Sequence, residues 1–255
     1  MARYWSADSN RVSCGSGAGL DSLSVFTYWA WIALWPGGAD RGIFGKGTFA
    51  GANRRNLSTG QTHIGSGYRL SGSVDSSTTR ASSNSRNVIP FYEWSFVVMN
   101  YDDTTNKIIR LFVGNEIQLV EECGYSSVTA GIGTIGNNDA DTQWIGNLGV
   151  GNVFGLRGLI GPCGIVTRII TIAEMCGIQQ NYLHPITGTQ LLVNLGANGS
   201  EIDLSGNGHT ITPSGTTIAN YGPNPRIVRK YRWVDVPAQI SGNTWPGYQS
   251  ASGWY

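Results

Sequence analysis

The stretch from Trp94 to Glu116, WSFVVMNYDDTTNKIIRLFVGNE, decides the fold because its apolar residues recur with period two on both sides of a short polar loop. This alternation is typical of β-strands, and the polar residues 102–106 supply turn chemistry. The stretch therefore predicts a β-hairpin whose second arm is Ile108 to Val113. Both faces of the first arm are largely apolar: Trp94, Phe96 and Val98 on one, Ser95, Val97 and Met99 on the other. Such a strand belongs inside a sandwich, not on its outside.

Part of this hairpin resembles a known family. The order Trp-x-x-Val-x-x-x-Tyr-Asp, from Trp94 to Asp102, is followed by an apolar strand and by Val113-Gly114-Asn115. This order resembles the central hairpin of laminin-G-like domains of the concanavalin A-like jelly-roll superfamily, with the terminal Asn-Gly of the family reversed. The resemblance implies two packed antiparallel sheets, in agreement with the alternation.

The composition favours one large all-β domain with appendages over two α/β domains. The chain has 255 residues, of which 36 are glycine, and only 13% are charged. Helix-forming stretches are nearly absent, and the one short helix that we predict is Ile172 to Gln180. The net charge of +1 gives no general electrostatic reason to expect nucleic acid or a membrane surface as partner. No stretch approaches the ~20 apolar residues of a membrane span.

Several other segments predict further strands. Ala2 to Cys14 predicts two short strands joined by a tight loop, and Ser24 to Trp35 alternates strongly enough to be a second central strand. Gly42 to Gly47 resembles an edge segment of the laminin-G-like family, in which we expect Lys46 to be a solvated strand end. Ala50 to Asn87 is rich in Ser, Thr, Gly, Asn and Arg, which predicts short strands separated by long rim loops.

The segment between His184 and Pro225 has the most specific resemblance. Residues 191–196 and 201–209, with Asp203-Leu204-Ser205-Gly206-Asn207-Gly208 inside the second run, resemble the closing segment of laminin-G-like proteins found in tailed-phage genomes. We expect a strand, a tight turn at Asp203 and another short strand here. We therefore predict a concanavalin A-like, two-sheet antiparallel jelly roll over residues 1–225.

Residues 226–255 differ in composition from the rest of the chain and predict an extended basic and aromatic C-terminal arm. The segment is too aromatic for an idle flexible linker. An arm that docks on a neighbouring surface is one interpretation, and a strand folded back on its own domain is the other. The residues that we expect to dock on a partner are Arg229, Tyr231, Arg232, Trp233, Trp245 and Trp254.

Catalysis has one candidate, Glu201-Ile202-Asp203, which begins like the clustered carboxylates of jelly-roll glycoside hydrolases. A retaining glycosidase needs two carboxyl groups about 5 Å apart, one as nucleophile and one as acid. No third acid follows, and the chain turns at Ser205-Gly206, so we expect Asp203 to accept bonds from the amides of its own turn. The three histidines are far apart and indicate neither a metal site nor a triad: His63, His184 and His209. We predict no catalytic residue, with a glycoside hydrolase as the third alternative for function.

Calcium is the one cofactor that the sequence suggests. Asn137, Asp139 and Asp141 place oxygen ligands close together in one loop, and hard cations prefer such ligands. The resemblance implies a rim position, because lectin-like relatives of this fold often hold calcium there. The alternative is that this Asn- and Asp-rich segment simply forms turns.

Glycan binding is suggested by the resemblance and by the aromatic residues. Sugars stack on exposed Trp and Tyr rings and form hydrogen bonds with Asn and Arg side chains. The candidate glycan-binding residues are Trp35, Asn53, Arg54 and Tyr68. The alternative for aromatic residues is burial, because tryptophans that alternate along strands are typical of a core. A fold by itself establishes no ligand.

The four cysteines predict buried free thiols. Cys14, Cys123, Cys163 and Cys176 show no Cys-x-x-Cys spacing and lie in apolar or glycine-rich surroundings. The first six residues lack the apolar core of a secretory signal, so we expect synthesis in a cytosol, where disulfides are disfavoured. The one pair that deserves a check for a bridge is Cys163 with Cys176.

Together these expectations predict that the chain is a non-catalytic structural protein of a tailed-phage virion. Its place would be that of a capsid decoration, a head fibre or a tail-associated component. The predicted partners are other virion proteins and further copies of the chain, with free loops available to host-surface glycans. Nucleic acid binding and membrane insertion are not expected. The alternative is a free carbohydrate-binding module with an extracellular location in place of the virion.

Overall fold

The computed structural model describes residues 2–224 except for 18, 22, 38–40, 48–52, 65–66, 149–153, 182–184, 197–200 and 221. His184 and the side chain of His63 lie outside the described part of the chain. So does the predicted arm at 226–255, together with its docking residues Arg229, Tyr231, Arg232, Trp233, Trp245 and Trp254.

The described residues form sixteen β-strands and one α-helix. The first eight strands are β1 (Ala2–Trp5), β2 (Arg11–Ser13), β3 (Val25–Leu34), β4 (Arg41–Lys46), β5 (Arg55–Ile64), β6 (Gly67–Val74), β7 (Ala81–Pro90) and β8 (Trp94–Asp102). The remaining elements are β9 (Ile109–Asn115), β10 (Glu121–Glu122), β11 (Tyr125–Thr129), β12 (Trp144–Ile145), β13 (Gly158–Val166), α1 (Ile172–Gln180), β14 (Thr189–Asn194), β15 (Thr212–Ser214) and β16 (Thr217–Ala219).

These strands form two antiparallel sheets of eight strands each. The first sheet has the order β10-β9-β8-β3-β13-β1-β16, and β14 also pairs with β13. The second sheet has the order β11-β7-β6-β5-β4-β12-β2-β15. The hairpin predicted from Trp94 onward is present as β8 and β9, and the two-sheet sandwich predicted from it is confirmed.

The first sheet is covered on both faces. Its central strands β3 and β8 pair from Val25 with Asp102 to Ala33 with Trp94. Alternate side chains enter a core between the sheets, among them Phe26, Tyr28, Ile32, Val97 and Met99. The others form a second cluster on the outer face, among them Trp29, Trp31, Trp94, Phe96 and Val98. Met175 and Ile178 of α1 join this second cluster, so the helix packs on that face.

The helix has the bounds predicted from the sequence, and a capping box fixes its start. The Thr171 hydroxyl accepts the N–H of Glu174 at 3.3 Å, and the Glu174 carboxylate accepts the N–H of Thr171 at 2.9 Å. Arg168 also donates to this carboxylate, at 3.1 Å. The Arg168 bond, followed by the bond from Thr171, lowers the pKa of Glu174 to about 2.

The expectation of short strands between Ala50 and Asn87 is wrong, because β5, β6 and β7 have 10, 8 and 10 residues. An antiparallel sheet with one solvated face needs an apolar residue only at every second position. Small hydroxyl residues can also point inward when they find a partner: the buried Ser83 donates to the carbonyl of Ile109 at 2.7 Å. A polar composition therefore does not by itself exclude long strands.

Lys46 is not the solvated strand end that we expected. Its side chain is fully buried, and its ammonium donates to the Asp21 carboxylate at 2.7 Å and to the carbonyl of Asp141 at 2.6 Å. Two loops that are distant in sequence provide these acceptors, so the burial of Lys46 depends on the tertiary fold.

All four cysteines are free thiols, so the pair that we singled out, Cys163 and Cys176, is not bridged. Cys176 is half-buried, whereas the other three are buried. Within the described part of the chain, α1 is the one helix, and its nine residues are too few to cross a membrane.

Candidate functional site

Two surface features at different ends of β3 have the shape and chemistry to hold a ligand. The first, the aromatic platform, consists of Tyr4, Trp35 and Tyr92 and lies where β3 ends. The second, the amide pocket, is a cavity of about 430 Å³ lined chiefly by Gly17, Gly19, Gln190, Asn207, His209 and Thr210. The pocket adjoins the start of β14. There Thr189 pairs with Val166 of β13, and Val166 in turn pairs with Thr27 of β3, so the pocket lies level with Thr27. At ~3.3 Å per residue, roughly 26 Å of β3 separates the two features.

The aromatic platform brings together three rings from distant parts of the chain. The Trp35 ring contacts Tyr4 on one side, with centroids 5.7 Å apart at 66°, and Tyr92 on the other, 6.0 Å apart at 85°. Edge contacts of this kind are favoured between aromatic rings. Tyr92 is 65% exposed and Tyr4 is 38% exposed, so the rings keep surface available to a ligand.

Tyr92 is held in an unusual backbone conformation. Its φ is +65°, in the left-handed region, where a bulky side chain is rare. Its N–H donates to the carbonyl of Leu34 at 2.8 Å, which fixes the turn between β7 and β8 against the end of β3. Backbone strain of this type costs on the order of 1–3 kcal/mol and is concentrated at functional sites. The strain places an exposed ring next to Trp35.

A polar edge borders the platform. Arg157 accepts the N–H of Trp35 through its carbonyl at 2.9 Å. The Arg157 Nε lies 3.8 Å from the Asp8 carboxylate, which also accepts a bond of 2.5 Å from the buried Arg41. Both Asp8 and Arg157 are partly exposed. The backbone of Arg157 thus adjoins Trp35, and its side chain and that of Asp8 keep part of their surface exposed.

Asp203 organises the loop that forms one wall of the amide pocket. Its carboxylate accepts backbone N–H groups from Ser205 at 2.9 Å, His209 at 3.1 Å and Leu192 at 3.3 Å. Burial alone would raise the pKa of Asp203, but these hydrogen bonds outweigh it and lower the pKa. The expectation that Asp203 bonds to the amides of its own turn is confirmed.

Asn207 ties the same loop to β14. Its side-chain amide donates to the carbonyls of Gln190 at 3.0 Å and Thr189 at 3.2 Å, and to the hydroxyl of Ser205 at 3.0 Å. The wall of the pocket therefore has a defined position before any ligand arrives.

The interior of the amide pocket is polar, and its described lining residues carry no Lys, Arg, Asp or Glu side chain. The Gln190 amide lies directly over Gly19, where any Cβ atom would overlap with it. The imidazole of His209 faces Gly17, and its Nε2 is buried with no hydrogen-bond partner in the described part of the chain. Burial, and then the nearby Asp203 carboxylate, raises the pKa of Cys14. The Cys14 thiol at the pocket is therefore protonated and is a poor nucleophile.

Trp35 and Tyr68, two of the predicted glycan-binding residues, lie close together but in different environments. Trp35 is the central ring of the platform. Tyr68 is fully buried, with its ring 5.2 Å from that of Phe91 and its hydroxyl accepting the N–H of Gly37 at 3.1 Å. In this position Tyr68 supports the end of β3 but offers no ring surface to a sugar.

Asn53 and Arg54, the other two predicted glycan-binding residues, lie at the opposite end of β4 from the platform. The side-chain amide of Asn53 donates to the Asp141 carboxylate at 2.8 Å. Arg54 is buried, and its Nε lies 3.5 Å from the carboxylate of Asp75. The four predicted residues therefore do not form one site.

The predicted calcium loop contains bonds of its own and has cations beside it. Asn137 accepts the N–H of Asp139 at 2.9 Å, and Asp141 accepts bonds from Asn53 and Lys46. The described residues hold no group of three or more His, Cys, Asp or Glu side chains arranged for a metal ion. Calcium at Asn137, Asp139 and Asp141 stays a prediction, and calorimetric titration that shows neither heat nor stabilisation would remove it.

A second buried cation, Arg55, lies opposite Lys46 on the neighbouring strand. Its three guanidinium nitrogens have no hydrogen-bond partner among the described residues. Burial lowers the pKa of Arg55 overall, and the Asp139 and Asp21 carboxylates offset only part of this effect. Two resident cations near these carboxylates oppose the entry of a divalent ion.

Glu201, the other acid of the catalytic candidate, is paired with Arg3. The guanidinium contacts both carboxylate oxygens, with Nη2 to Oε2 at 2.7 Å, and the N–H of Gly196 adds a bond at 2.9 Å. Burial alone would raise the pKa of Glu201, but the Arg3 bond and then the Gly196 bond lower it overall. Glu201 and Asp203 are both committed to holding loops in place.

Tyr4, Tyr92 and Gln190 were not singled out from the sequence, and His209 was considered only as a metal or triad residue. The alternation Arg3-Tyr4-Trp5 offered a signal for Tyr4, because it turns Tyr4 away from the buried Trp5. No local pattern announces the left-handed backbone of Tyr92. The pocket residues meet only because β14 and the Asp203 loop fold against the glycines that follow β2.

The two sheets and the outer helix define the fold, which is a two-sheet antiparallel jelly-roll sandwich. No family model matches the sequence, and no curated protein matches it. A Bacteroides ovatus protein whose proposed role is carbohydrate binding has a similar fold, with a TM-score of 0.58 and 18% identity over 85% of this chain. This chain spans 58% of the length of that protein.

Two further structures are similar at lower scores. A heptameric SAP-like pentraxin from Limulus polyphemus matches with a TM-score of 0.48 and 13% identity over 81% of this chain and 89% of its own. Domains LG4-5 of the mouse laminin α1 chain match with a TM-score of 0.45 and 12% identity, over 64% of this chain and 41% of theirs. At these identities the similarities concern the fold.

Proposed function

We propose that this domain binds carbohydrate, without cleaving it, at the aromatic platform. The observation that carries the proposal is Tyr92, whose ring is 65% exposed and is held against Trp35 by a backbone conformation that tyrosine seldom adopts. Strain of this kind persists when the surrounding structure imposes it. An exposed ring in such a position is better explained by a ligand than by folding.

The chemistry of the platform suits a sugar. A pyranose has one face of C–H groups, which packs against an aromatic ring, and an edge of hydroxyl groups, which need donors and acceptors. Trp35, Tyr4 and Tyr92 supply the rings, and Arg157 and Asp8 supply the polar groups at the border. The proposed carbohydrate binding of the Bacteroides ovatus protein with the same fold adds support.

The absence of cleavage is part of the proposal. Glu201 and Asp203, the carboxylates that we considered for catalysis, serve as partners of Arg3 and of loop amides. A nucleophile or acid must be free to reach a glycosidic oxygen or carbon. If Glu201→Gln abolished a measurable glycan hydrolysis by the purified protein, the non-catalytic part would be wrong.

The test is a glycan array followed by calorimetry with the best ligand. We expect Tyr92→Gly to weaken binding about tenfold or more, since it removes the exposed ring at a position that suits glycine. The matched control is Val128→Ala, which trims an exposed apolar side chain on an edge strand of the second sheet and should leave the affinity unchanged. Equal affinity of Tyr92→Gly and the unmodified protein would refute the platform as the site.

A structural role in a tailed-phage virion is our second proposal. It is supported by the sequence resemblance to phage laminin-G-like proteins and by the basic, aromatic composition of residues 226–255. In this proposal the chain is made in the host cytoplasm, assembles with copies of itself and with capsid or tail proteins, and presents the platform to host-surface glycans. A free extracellular carbohydrate-binding module is the alternative.

Mass spectrometry of purified particles distinguishes these two roles. Many copies of the chain per particle are expected for a decoration or fibre, whereas absence from every particle favours the free module. Deletion of residues 226–255 then tests the arm. Loss of assembly with an unchanged melting temperature supports docking on a partner, and a large fall in stability favours a strand folded back on the domain.

A further inference from the structure

We propose that the amide pocket is a second binding site, which takes a neutral, hydroxyl-rich small molecule of the size of one sugar residue. The ligand class rests on the proposed carbohydrate binding, whereas the position of the site is independent of the platform. The two features lie at different ends of β3, and they share no residue.

The size and shape of the cavity fit such a ligand. Its volume of about 430 Å³ lies within the usual range for small-molecule sites, on the order of 300–1,000 Å³. Glycines line one wall, and Gly17 exposes backbone there in place of a side chain. A ligand can therefore approach the main chain closely.

The polar groups in the pocket need partners. The His209 ring turns its Cε1 and Nδ1 atoms towards Gly17, at 3.7 and 3.8 Å from the position of a Cβ atom there, whereas its Nε2 is buried without a hydrogen-bond partner among the described residues. The Gln190 amide, which lies over Gly19, offers both a donor and an acceptor to the same space. Hydroxyl groups of a ligand can both donate and accept, so a polyol suits the Gln190 amide and the Nδ1 edge of His209.

The lining residues also exclude other ligand classes. Among the described residues, no Lys, Arg, Asp or Glu lines the pocket, so these residues offer no counter-ion to a phosphate or carboxylate. The part of the lining that the structure describes contains no Trp, Tyr or Phe ring on which a flat apolar ligand could stack. The Cys14 thiol is kept protonated by burial, so covalent capture is not expected.

Hydrogen bonds within the protein fix the shape of the pocket before a ligand binds, so a small ligand that makes few contacts can still bind. Asp203 holds the backbone of Ser205 and His209, and Asn207 holds the loop to β14. Little ordering entropy remains to be lost on binding at a preformed site.

Gly17 provides a variant that fills the pocket without straining the chain. A Cβ atom there would lie 3.7 Å from the His209 ring, an ordinary contact, and the backbone of Gly17 is not left-handed. Gly17→Leu therefore projects a side chain into the cavity. The matched control is Gly177→Leu on the exposed side of α1, where a Cβ would meet no atom within 4 Å.

The experiment is titration of the isotope-labelled full chain with D-glucose, D-galactose and N-acetyl-D-glucosamine, followed by NMR of the Gln190 amide and the His209 ring. We expect at least one probe to shift both signals in a saturable manner. Gly17→Leu should abolish the shifts and Gly177→Leu should keep them. Gln190→Met, which retains the length but loses the amide, should weaken binding about tenfold.

The outcomes separate this proposal from the platform. Shifts that persist in Tyr92→Gly but vanish in Gly17→Leu establish the pocket, even if the platform binds nothing. Shifts that vanish in Tyr92→Gly and persist in Gly17→Leu overturn the pocket and leave the platform standing. No shift of Gln190 or His209 with any probe up to solubility, or shifts that survive in both variants, also overturns it.

Discussion

The aromatic platform and the amide pocket hold their side chains in place by different physical means. In the platform, three rings from separate segments pack edge to face, and one of them sits on a strained backbone. In the pocket, a single ionised carboxylate, Asp203, collects three backbone N–H groups and shapes the whole loop. Ring packing is insensitive to pH and salt, whereas a carboxylate network depends on protonation. Different perturbations should therefore abolish binding at the two sites, although one ion pair connects the segments that carry them.

That ion pair, between Arg3 and Glu201, should give the largest effect. Arg3 precedes Tyr4 of the platform, and Glu201 lies two residues before Asp203 of the pocket. Arg3→Ala leaves the Glu201 carboxylate buried without its cation, and loss of one partner of a buried pair costs about 3 kcal/mol or more. We expect chemical denaturation to show this loss, and binding at both sites to weaken.

The control for Arg3→Ala is Arg11→Ala on β2, the next strand along the chain, which lies in the other sheet. The Arg11 guanidinium lies 4.8 Å from the centre of the Trp144 ring and is half-buried, so its removal should cost only about 1 kcal/mol or less. Equal losses for the two variants would show that the ion pair does not connect the segments that carry the two sites.

Asp203→Ala should have the next largest effect, confined to the pocket. The N–H groups of Leu192, Ser205 and His209 would lose their acceptor, at a cost of about 2 kcal/mol in total because the loop can open to water. Calorimetry should show unchanged binding at the platform, while the NMR shifts of the pocket disappear. Asp203→Asn keeps one acceptor oxygen and should lose less. A matching loss of platform affinity would contradict the independence of the two sites.

Acid should act through the carboxylates of Asp203, which holds the loop of the pocket, and of Glu201, which holds Arg3. The pKa values of Asp203 and Glu201 are lowered in the folded chain, so their contribution to stability is complete above their unfolded pKa values of about 4. It is lost as the pH falls through the lower folded values. We expect the melting temperature to fall below about pH 4, and Asp203→Asn to make that fall shallower. An identical acid profile for Asp203→Asn and the unmodified chain would contradict this account.

These differences also explain which features the sequence could predict. The β8–β9 hairpin, the bounds of α1 and the turn amides at Asp203 depend on neighbours in sequence, and local patterns revealed them. Lys46 and Tyr68 were misjudged because their burial depends on remote partners, namely the Asp21 and Asp141 loops and the ring of Phe91.

The candidate sites follow the same rule. Trp35 was predicted as a glycan contact because it offers an aromatic ring, but its ring partners come from residues 4 and 92 and depend on sheet register. In the amide pocket, the closing loop was recognised as a turn, but the cavity exists only where that turn meets β14 and the glycines after β2. Sequence therefore predicts the parts of each site better than their assembly.

The smallest effect on stability should come from Tyr92, the residue on which the proposed platform most depends. Tyr92→Gly removes ring contacts with Trp35 but relieves a φ of +65°, so the two terms nearly cancel and the free energy of unfolding should change by no more than about 1 kcal/mol. Tyr92→Ala removes the same ring and keeps most of the strain, so it should be less stable than Tyr92→Gly by about 1 kcal/mol. Urea denaturation of the two variants measures that difference directly. Equal stability would mean that the backbone relaxes when the ring is removed. The ring contacts of Tyr92, and not the surrounding structure, would then impose the strained turn.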